Sequence, residues 1–119
     1  MNRTDEDTVR VRHMLEAATS IRRHLKGRSR QDLESDELLR LGLERLLEML
    51  GEAARHVSPG FRAEHPEIPW RSIIGTRDHL VHGYDAIDLG IIWSIVKKEM
   101  PRLVTDLRGV TQERGPGLT

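Results

Sequence analysis

Cysteine is absent from this 119-residue chain, and aromatic residues are scarce. Without cysteine there are no disulfide bonds, no thiolate zinc sites and no cysteine nucleophile. One Phe, one Tyr and two Trp make up the aromatic set. That is too few for a domain that binds single-stranded nucleic acid by stacking bases on an aromatic platform.

The chain also lacks an excess of either charge. Lys and Arg together number 19, as do Asp and Glu, so the formal net charge is zero with His neutral. No overall field attracts the protein to nucleic acid or to an anionic membrane, so any contact with RNA must be local. The chain has no run of roughly 20 apolar residues that could span a bilayer, and its start lacks the apolar segment of a signal peptide. We expect a cytoplasmic protein without a membrane partner.

Apolar residues recur at helical spacing in four segments, and no segment alternates with the period of a strand. The length suits one domain, residues 1–119, with one core. The sequence predicts an all-α, up-and-down bundle of four to five helices. The predicted helices run from Thr8 to Lys26, from a cap at Asp36 to Val57, from Trp70 to about His82, and from Asp85 or Asp88 to a frayed tail at 112–119.

The predicted connections and two helix interiors carry further expectations. Gly27 closes the first helix, and 27–35 is a polar connector with room for a short helical turn. The segment 61–69 is a turn-rich linker with at most one short helix, because each of its prolines disfavours helix at the preceding residue. Gly75 inside the third helix is explained if another helix backbone packs closely there. Pro101 should bend the last helix, because the carbonyl of Lys97 loses its partner.

The segment 76–85 reads T-R-D-H-L-V-H-G-Y-D and holds an Arg, an Asp, two His and the only Tyr within eight positions. On an ideal helix Arg77 and His82 point about 140° apart, whereas Asp78 and His82 share a face. Arg77 and His82 can meet only if the helix ends or distorts near Gly83, or if two copies of the chain form a shared cleft.

Two interpretations of this segment involve no RNA chemistry. Asp78 and His82 could form a surface pair worth about 0.2–0.5 kcal/mol, with Arg77 as a solvated charge. Alternatively, a metal could be held by His79 and His82, or by His82 with Asp78 and Asp85. Zinc normally takes three or four protein ligands, which these spacings do not readily supply.

A third interpretation is RNA cleavage without a metal. RNA carries its own nucleophile, the 2′-hydroxyl, so a protein need only transfer protons and stabilise charge on the phosphate. Histidine titrates near pH 6.5, and arginine stays charged and grips phosphate oxygens with two parallel donors. One His and one Arg are chemically sufficient in outline. Composition and spacing alone leave the three interpretations open.

The pattern of Arg77 and His82 resembles the Rx4–6H signature of HEPN domains. The string R-D-H-L-V-H-G-Y at 77–84, with I-P-W-R-S-I-I-G before it and D-A-I-D-L-G-I-I-W after it, resembles the HepT toxins, also catalogued as DUF86 proteins. The resemblance extends from about Ile68 to Met100. The N-terminal half matches only in its helical pattern and leucine-rich second helix. The residue after the arginine is often Asn in that family, and here it is Asp78.

The resemblance implies an all-α ribonuclease of HEPN type that needs no metal or other cofactor. Such proteins are usually homodimers, with the motif residues of both subunits in a cleft at their interface. Arg77 would hold and neutralise the scissile phosphate, His82 would transfer protons, and Asp78 would orient one of them or the RNA. HepT-like toxins are typically encoded beside an antitoxin, a minimal nucleotidyltransferase of MntA type. Such partners can attach AMP to the tyrosine two residues beyond the motif histidine, here Tyr84.

Other features are less specific. Arg22, Arg23 and Lys26 could steer RNA, although cations also suit the carboxyl end of a helix. The histidines outside the motif show no partner pattern and are predicted to lie at the surface or at helix caps: His13, His24, His56 and His65. The alternative function is a non-catalytic helical module that binds substrate or nucleotide for a minimal nucleotidyltransferase, and a third is an inert dimerisation domain.

Overall fold

The computed structural model describes residues 3–81 and 88–114, and within these ranges it contains helices and no strand. The elements are α1 (Arg3–Leu25), α2 (Arg30–Ser35), α3 (Glu37–Arg55), α4 (Pro59–Glu64), α5 (Trp70–Val81), α6 (Leu89–Ser94), a π-helical turn (Ile95–Glu99) and α7 (Met100–Arg114). The predicted all-α fold is confirmed. Within the described ranges, no helix combines the length and apolar character needed to cross a membrane.

Helix α3 lies at the centre, with α1 and α5 packed against it, and α1 also packs against α7. The buried side chains come from the predicted apolar stripes; examples are Met14, Ile21, Leu47, Leu50, Met100 and Leu107. Asp7, near the start of α1, contacts Ser58, just beyond the end of α3. The opposite ends of the two helices share a groove lined by Leu25 and Leu39. Helices α1 and α3 are therefore antiparallel.

Three helix boundaries follow the sequence signals. Gly27, with φ of +77°, lies just after α1 in the left-handed region that favours glycine. The Asp36 side chain accepts a hydrogen bond from the amide of Leu39 at 3.0 Å. Asp88 is the N-cap of α6, where its carboxylate accepts a hydrogen bond from the amide of Gly90 at 2.9 Å.

The two connections each contain a short helix. Helix α2 occupies the connector at 27–35, as the prediction allowed. Helix α4 begins at Pro59, two residues before the linker predicted at 61–69, and Ser58 is its N-cap. The buried Asp7 carboxylate accepts from the Ser58 amide at 2.8 Å and from its hydroxyl at 2.6 Å. A charge-assisted contact across the fold thus fixes where α4 starts.

His65 occupies a helix cap, one of the two positions predicted for it, but it does not lie at the surface. It is the C-cap of α4 but is buried, with its ring 4.8 Å from that of Phe61. Its backbone carbonyl accepts a hydrogen bond from the indole of Trp70 at 3.0 Å. Helical periodicity does not show this burial, because His65 lies between α4 and α5 and not on the apolar stripe of a helix.

A π-helical turn lies directly before Pro101 in the last helical segment. The amide of Met100 donates to the carbonyl of Ile95, one residue further back than in an α-helix. This wider turn directly precedes the position where proline cannot donate a hydrogen bond. Helix α7 then continues to Arg114, so residues 112–114 are helical where the sequence predicted a frayed tail. Residues 115–119 lie outside the described ranges.

Candidate active site around Arg77

Arg77 lies on the face of α5 that packs against α3, and its side chain is 18% exposed. Its Nη2 is 3.0 Å from Oε2 of Glu52 on α3. Its Nη1 donates a hydrogen bond to Oδ1 of Asp78 at 3.0 Å. Arg77 is therefore held between two carboxylates and is not the solvated charge of the surface-pair interpretation. The structure brings two predicted site residues, Arg77 and Asp78, into direct contact.

The close approach of two helices occurs at Gly51 of α3. A Cβ atom there would fall on Cβ of Arg77, and would lie 2.8 Å from its Cγ and 3.0 Å from the carbonyl oxygen of Ile73. At Gly75, where the sequence predicted such an approach, a Cβ would meet nothing within 4 Å. That prediction was wrong because periodicity does not show which glycine faces a neighbouring helix. Gly51 is what lets Arg77 sit directly against α3.

The polar contacts around Arg77 continue on both sides. Asp78 Oδ1 is also 3.8 Å from Nη1 of Arg55. Glu52 Oε1 is 3.5 Å from Nδ1 of His56, and the same nitrogen is 2.9 Å from the Glu52 carbonyl oxygen. The result is a row of charged and polar contacts that joins α3 and α5. His56 is the C-cap of α3, as predicted for a capping histidine.

Glu52, Arg55 and His56 are the members of this cluster that sequence reasoning did not connect with Arg77. Glu52 lies about 25 positions before Arg77, so no local motif connects them. The available signal was the placement of Glu52 directly between Gly51 and Ala53, both buried in the structure. A carboxylate between two small buried residues lies close to the core, where it needs a cation to pair with.

Arg77 also lines a groove of about 720 Å³ between α1 and α3, called here the α1–α3 groove. The charged side chains that line it include Arg10, Glu16, Arg45, Glu48 and Glu52. Both signs are present, and His13 and His56 add two imidazoles. Arg77 therefore lines a groove of mixed charge that also contains two histidines.

His82, Gly83, Tyr84 and Asp85 lie outside the described residues, as does the rest of 82–87. The convergence of Arg77 with His82 therefore stays a prediction. The surface pair of Asp78 with His82 and the metal alternative both depend on residues in this segment. Both interpretations therefore stay predictions from the sequence.

Arg22, Arg23 and Lys26 are exposed in the last turn of α1 or just beyond it. That end of α1 packs near Leu39, thirteen residues before Glu52 along α3. At 1.5 Å per residue the separation from Glu52 is about 20 Å. These cations are thus not part of the Arg77 cluster, and their contact with RNA stays a prediction.

Comparison with known proteins gives a consistent result. The family model described as Ribonuclease HepT-like matches residues 14–109. The chain is 33% identical over 103 residues to a protein of Caldanaerobacter subterraneus subsp. tengcongensis named as a putative RNase, covering 87% of this chain and 92% of that protein. It is 32% identical over 90 residues to a putative RNase of Methanocaldococcus jannaschii, covering 76% and 83%.

A third relative carries a more specific name. The chain is 37% identical over 73 residues to a probable ribonuclease HepT of Thermococcus cleftensis, covering 61% of this chain and 66% of that protein. No solved structure gives a significant match. The family match spans α1 from Met14 onward, all of α3 and the motif segment.

Proposed function

The chain belongs to the ribonuclease HepT-like family, and on that basis we propose that it is an RNA endonuclease of HEPN type that cleaves without a metal or other cofactor. The observation that carries the proposal is the environment of Arg77. An arginine that is mostly covered, fixed between two carboxylates and open to a groove is suited to bind a phosphate in one orientation. A surface arginine with no such role has no need of this support.

In the proposed reaction Arg77 binds the scissile phosphate and neutralises its developing charge. A guanidinium has five N–H donors, so the contacts with Glu52 and Asp78 leave donors for phosphate oxygens. His82 removes the proton of the 2′-hydroxyl or protonates the leaving 5′-oxygen. Asp78 orients Arg77, a role supported by their 3.0 Å hydrogen bond.

We extend the proposal to a homodimer of a single domain, residues 1–119. In this dimer the motif residues of both subunits line one shared cleft. The outer face of α3 exposes large apolar side chains: Leu38 is 81% exposed, Leu41 51% and Met49 46%. Met49 also lines the α1–α3 groove. A second copy packed on this face would cover apolar surface beside the groove. In a shared cleft, Arg77 of one subunit could lie near His82 of the other, although the two residues point apart on an ideal helix.

The proposal predicts that the purified protein cleaves RNA in the presence of EDTA. His82→Ala should lower the rate about 10²–10⁴-fold, because the proton-transfer group is lost. His79→Ala is the matched control, since His79 lies three residues earlier and belongs only to the metal alternative. Cleavage of single-stranded RNA by each variant, with helicity checked by circular dichroism, measures both.

Loss of cleavage in EDTA, together with an equal loss in His79→Ala, would establish the metal alternative instead. No cleavage of any RNA by the wild-type protein would favour the non-catalytic partner of a nucleotidyltransferase. A growth assay gives the same distinction in cells. A nuclease toxin halts growth when expressed alone, and His82→Ala relieves the arrest.

We further propose that the protein is the toxin of a toxin–antitoxin pair and that an MntA-type nucleotidyltransferase silences it through Tyr84. The phenol oxygen would attack the α-phosphate of ATP, forming a tyrosyl–AMP bond and releasing pyrophosphate. The added nucleotide would place bulk and negative charge two residues from His82, where the RNA phosphate must bind.

Incubation of the protein with such a transferase, ATP and Mg²⁺ is expected to add AMP to the intact mass and to stop RNA cleavage. Tyr84→Phe should keep its original mass and its activity. Mass spectrometry of the intact protein measures the transfer. A mass increment that persists in Tyr84→Phe would remove Tyr84 as the acceptor.

A further inference from the structure

The Arg77 guanidinium is at the end of a long side chain, and long side chains lose up to about 2 kcal/mol of rotamer freedom when they are fixed. A reaction that depends on a guanidinium in one orientation gains if that freedom is already lost before RNA binds. The structure shows what restrains it. Glu52 contacts Nη2 from α3, Asp78 contacts Nη1 from the same helix as Arg77, and the α3 backbone at Gly51 lies against the stem.

We propose that Glu52 is a positioning residue that holds Arg77 in the orientation from which its free donors face the α1–α3 groove. The inference rests on the proposed ribonuclease function and deepens it. Glu52 lies far outside the 77–84 motif, and the proposed reaction depends on it. Glu52 acts through Arg77 and does not itself touch the RNA.

The environment of the Glu52 carboxylate supports this role. Oε2 is shielded from solvent and has no aligned hydrogen bond in the described structure, although Nη2 of Arg77 lies 3.0 Å away. Its charge is therefore balanced by Arg77 at ion-pair distance. The other oxygen, Oε1, lies near the His56 imidazole at 3.5 Å. A shielded carboxylate oxygen without a cation nearby is unfavourable, so the pair holds both side chains in place.

Gly51 makes the arrangement rigid. Because α3 carries no side chain there, Arg77 Cβ and Cγ pack directly against its backbone. The stem of Arg77 is thus fixed by Gly51, and its head by the next residue, Glu52. Two consecutive residues of α3 restrain both ends of one side chain from α5.

The opposite role for Glu52 is competition, in which its carboxylate occupies Arg77 and repels phosphate. The two roles predict opposite results. If Glu52 positions Arg77, removing its charge slows cleavage; if it competes, removing its charge speeds cleavage. Positioning is favoured because Arg77 still lines the groove while it contacts Glu52.

Glu52→Gln is the test, since it keeps the size of the side chain and removes the charge. We expect kcat for RNA cleavage to fall about tenfold, with a smaller change in KM, because misorientation of a group acts on the transition state more than on binding. Glu52→Asp should recover part of the loss. In an Arg77→Ala background, Glu52→Gln should have no further effect.

Glu48→Gln is the matched control. Glu48 lies one turn earlier on α3 and lines the same groove, but its carboxylate is 3.9 Å from Arg45 instead of contacting Arg77. Glu48→Gln removes one negative charge from the groove, as Glu52→Gln does. An effect of groove charge would appear equally in Glu48→Gln and Glu52→Gln, and that outcome would overturn the inference. Faster cleavage by Glu52→Gln alone would also overturn it, in favour of competition.

A measurement independent of activity separates this inference from the proposed function. In ¹⁵N-labelled protein, hindered rotation of the Arg77 guanidinium gives separate Nη signals, which we expect to merge in Glu52→Gln but not in Glu48→Gln. Unchanged signals in Glu52→Gln would refute the inference even if RNA is cleaved. Absence of cleavage by wild-type protein, with the expected merging, would refute the ribonuclease proposal and leave the restraint on Arg77 established.

Discussion

Arg77→Ala is expected to lower the rate of RNA cleavage by about two to three orders of magnitude, the loss typical when one preorganised charge-stabilising group is removed. Without Arg77 the scissile phosphate loses the cation that neutralises its developing charge. Single-turnover cleavage of a labelled RNA measures the rate. Circular dichroism and thermal unfolding show whether the helices are retained.

Two further variants make this result specific. Arg77→Lys keeps the charge but cannot offer two parallel donors, so its rate should lie between those of the wild type and Arg77→Ala. Arg71→Ala removes an exposed arginine from the same helix and should cleave at the wild-type rate. Wild-type cleavage by folded Arg77→Ala would show that this arginine has no part in the reaction.

Gly51→Ala is expected to lower the free energy of unfolding by about 3 kcal/mol, at the upper end of the range for overpacked cores. The new methyl group would overlap the Arg77 stem and press on the Ile73 carbonyl. Helices α3 and α5 must then separate, which also displaces Arg77 from Glu52. We therefore expect the loss of stability to be accompanied by slower cleavage.

Gly42→Ala is the matched control for this variant, because Gly42 lies in the same helix and an added Cβ meets nothing within 4 Å. Alanine is favoured over glycine in a helix interior by about 1 kcal/mol, so Gly42→Ala should raise the stability. Urea unfolding of the two variants measures the difference. If both variants were stabilised, the close packing of α5 on α3 at Gly51 would be wrong.

Local signals in the sequence were sufficient for most of the helices. The apolar spacing predicted α1, α3, α5 and the last long helix, and Gly27, Asp36 and Asp88 marked their ends. These features depend on a residue and its neighbours within one or two turns, which the sequence displays directly. The short helix α4 and the π turn before Pro101 were harder to predict because they depend on contacts and adjustments beyond one turn.

The candidate site likewise contains residues that a local motif shows and residues that only helix packing shows. Arg77 and Asp78 were found from the sequence because they belong to a local motif that resembles a known family. The partner of Arg77 was not, because Glu52 lies on another helix and reaches Arg77 only through the packing of α5 on α3. Likewise, the sequence contained both Gly75 and Gly51 but gave no means of choosing between them as the point of contact.

By itself the sequence determined that this protein is helical and where its main helices lie, and it named the motif predicted to carry the chemistry, because short-range periodicity and residue type suffice for each. Only the tertiary structure decided that Gly51 is the point where two helices meet and that Glu52 contacts Arg77. Such contacts depend on which faces of distant helices come together, and that is fixed by the packing of the whole core rather than by any one segment.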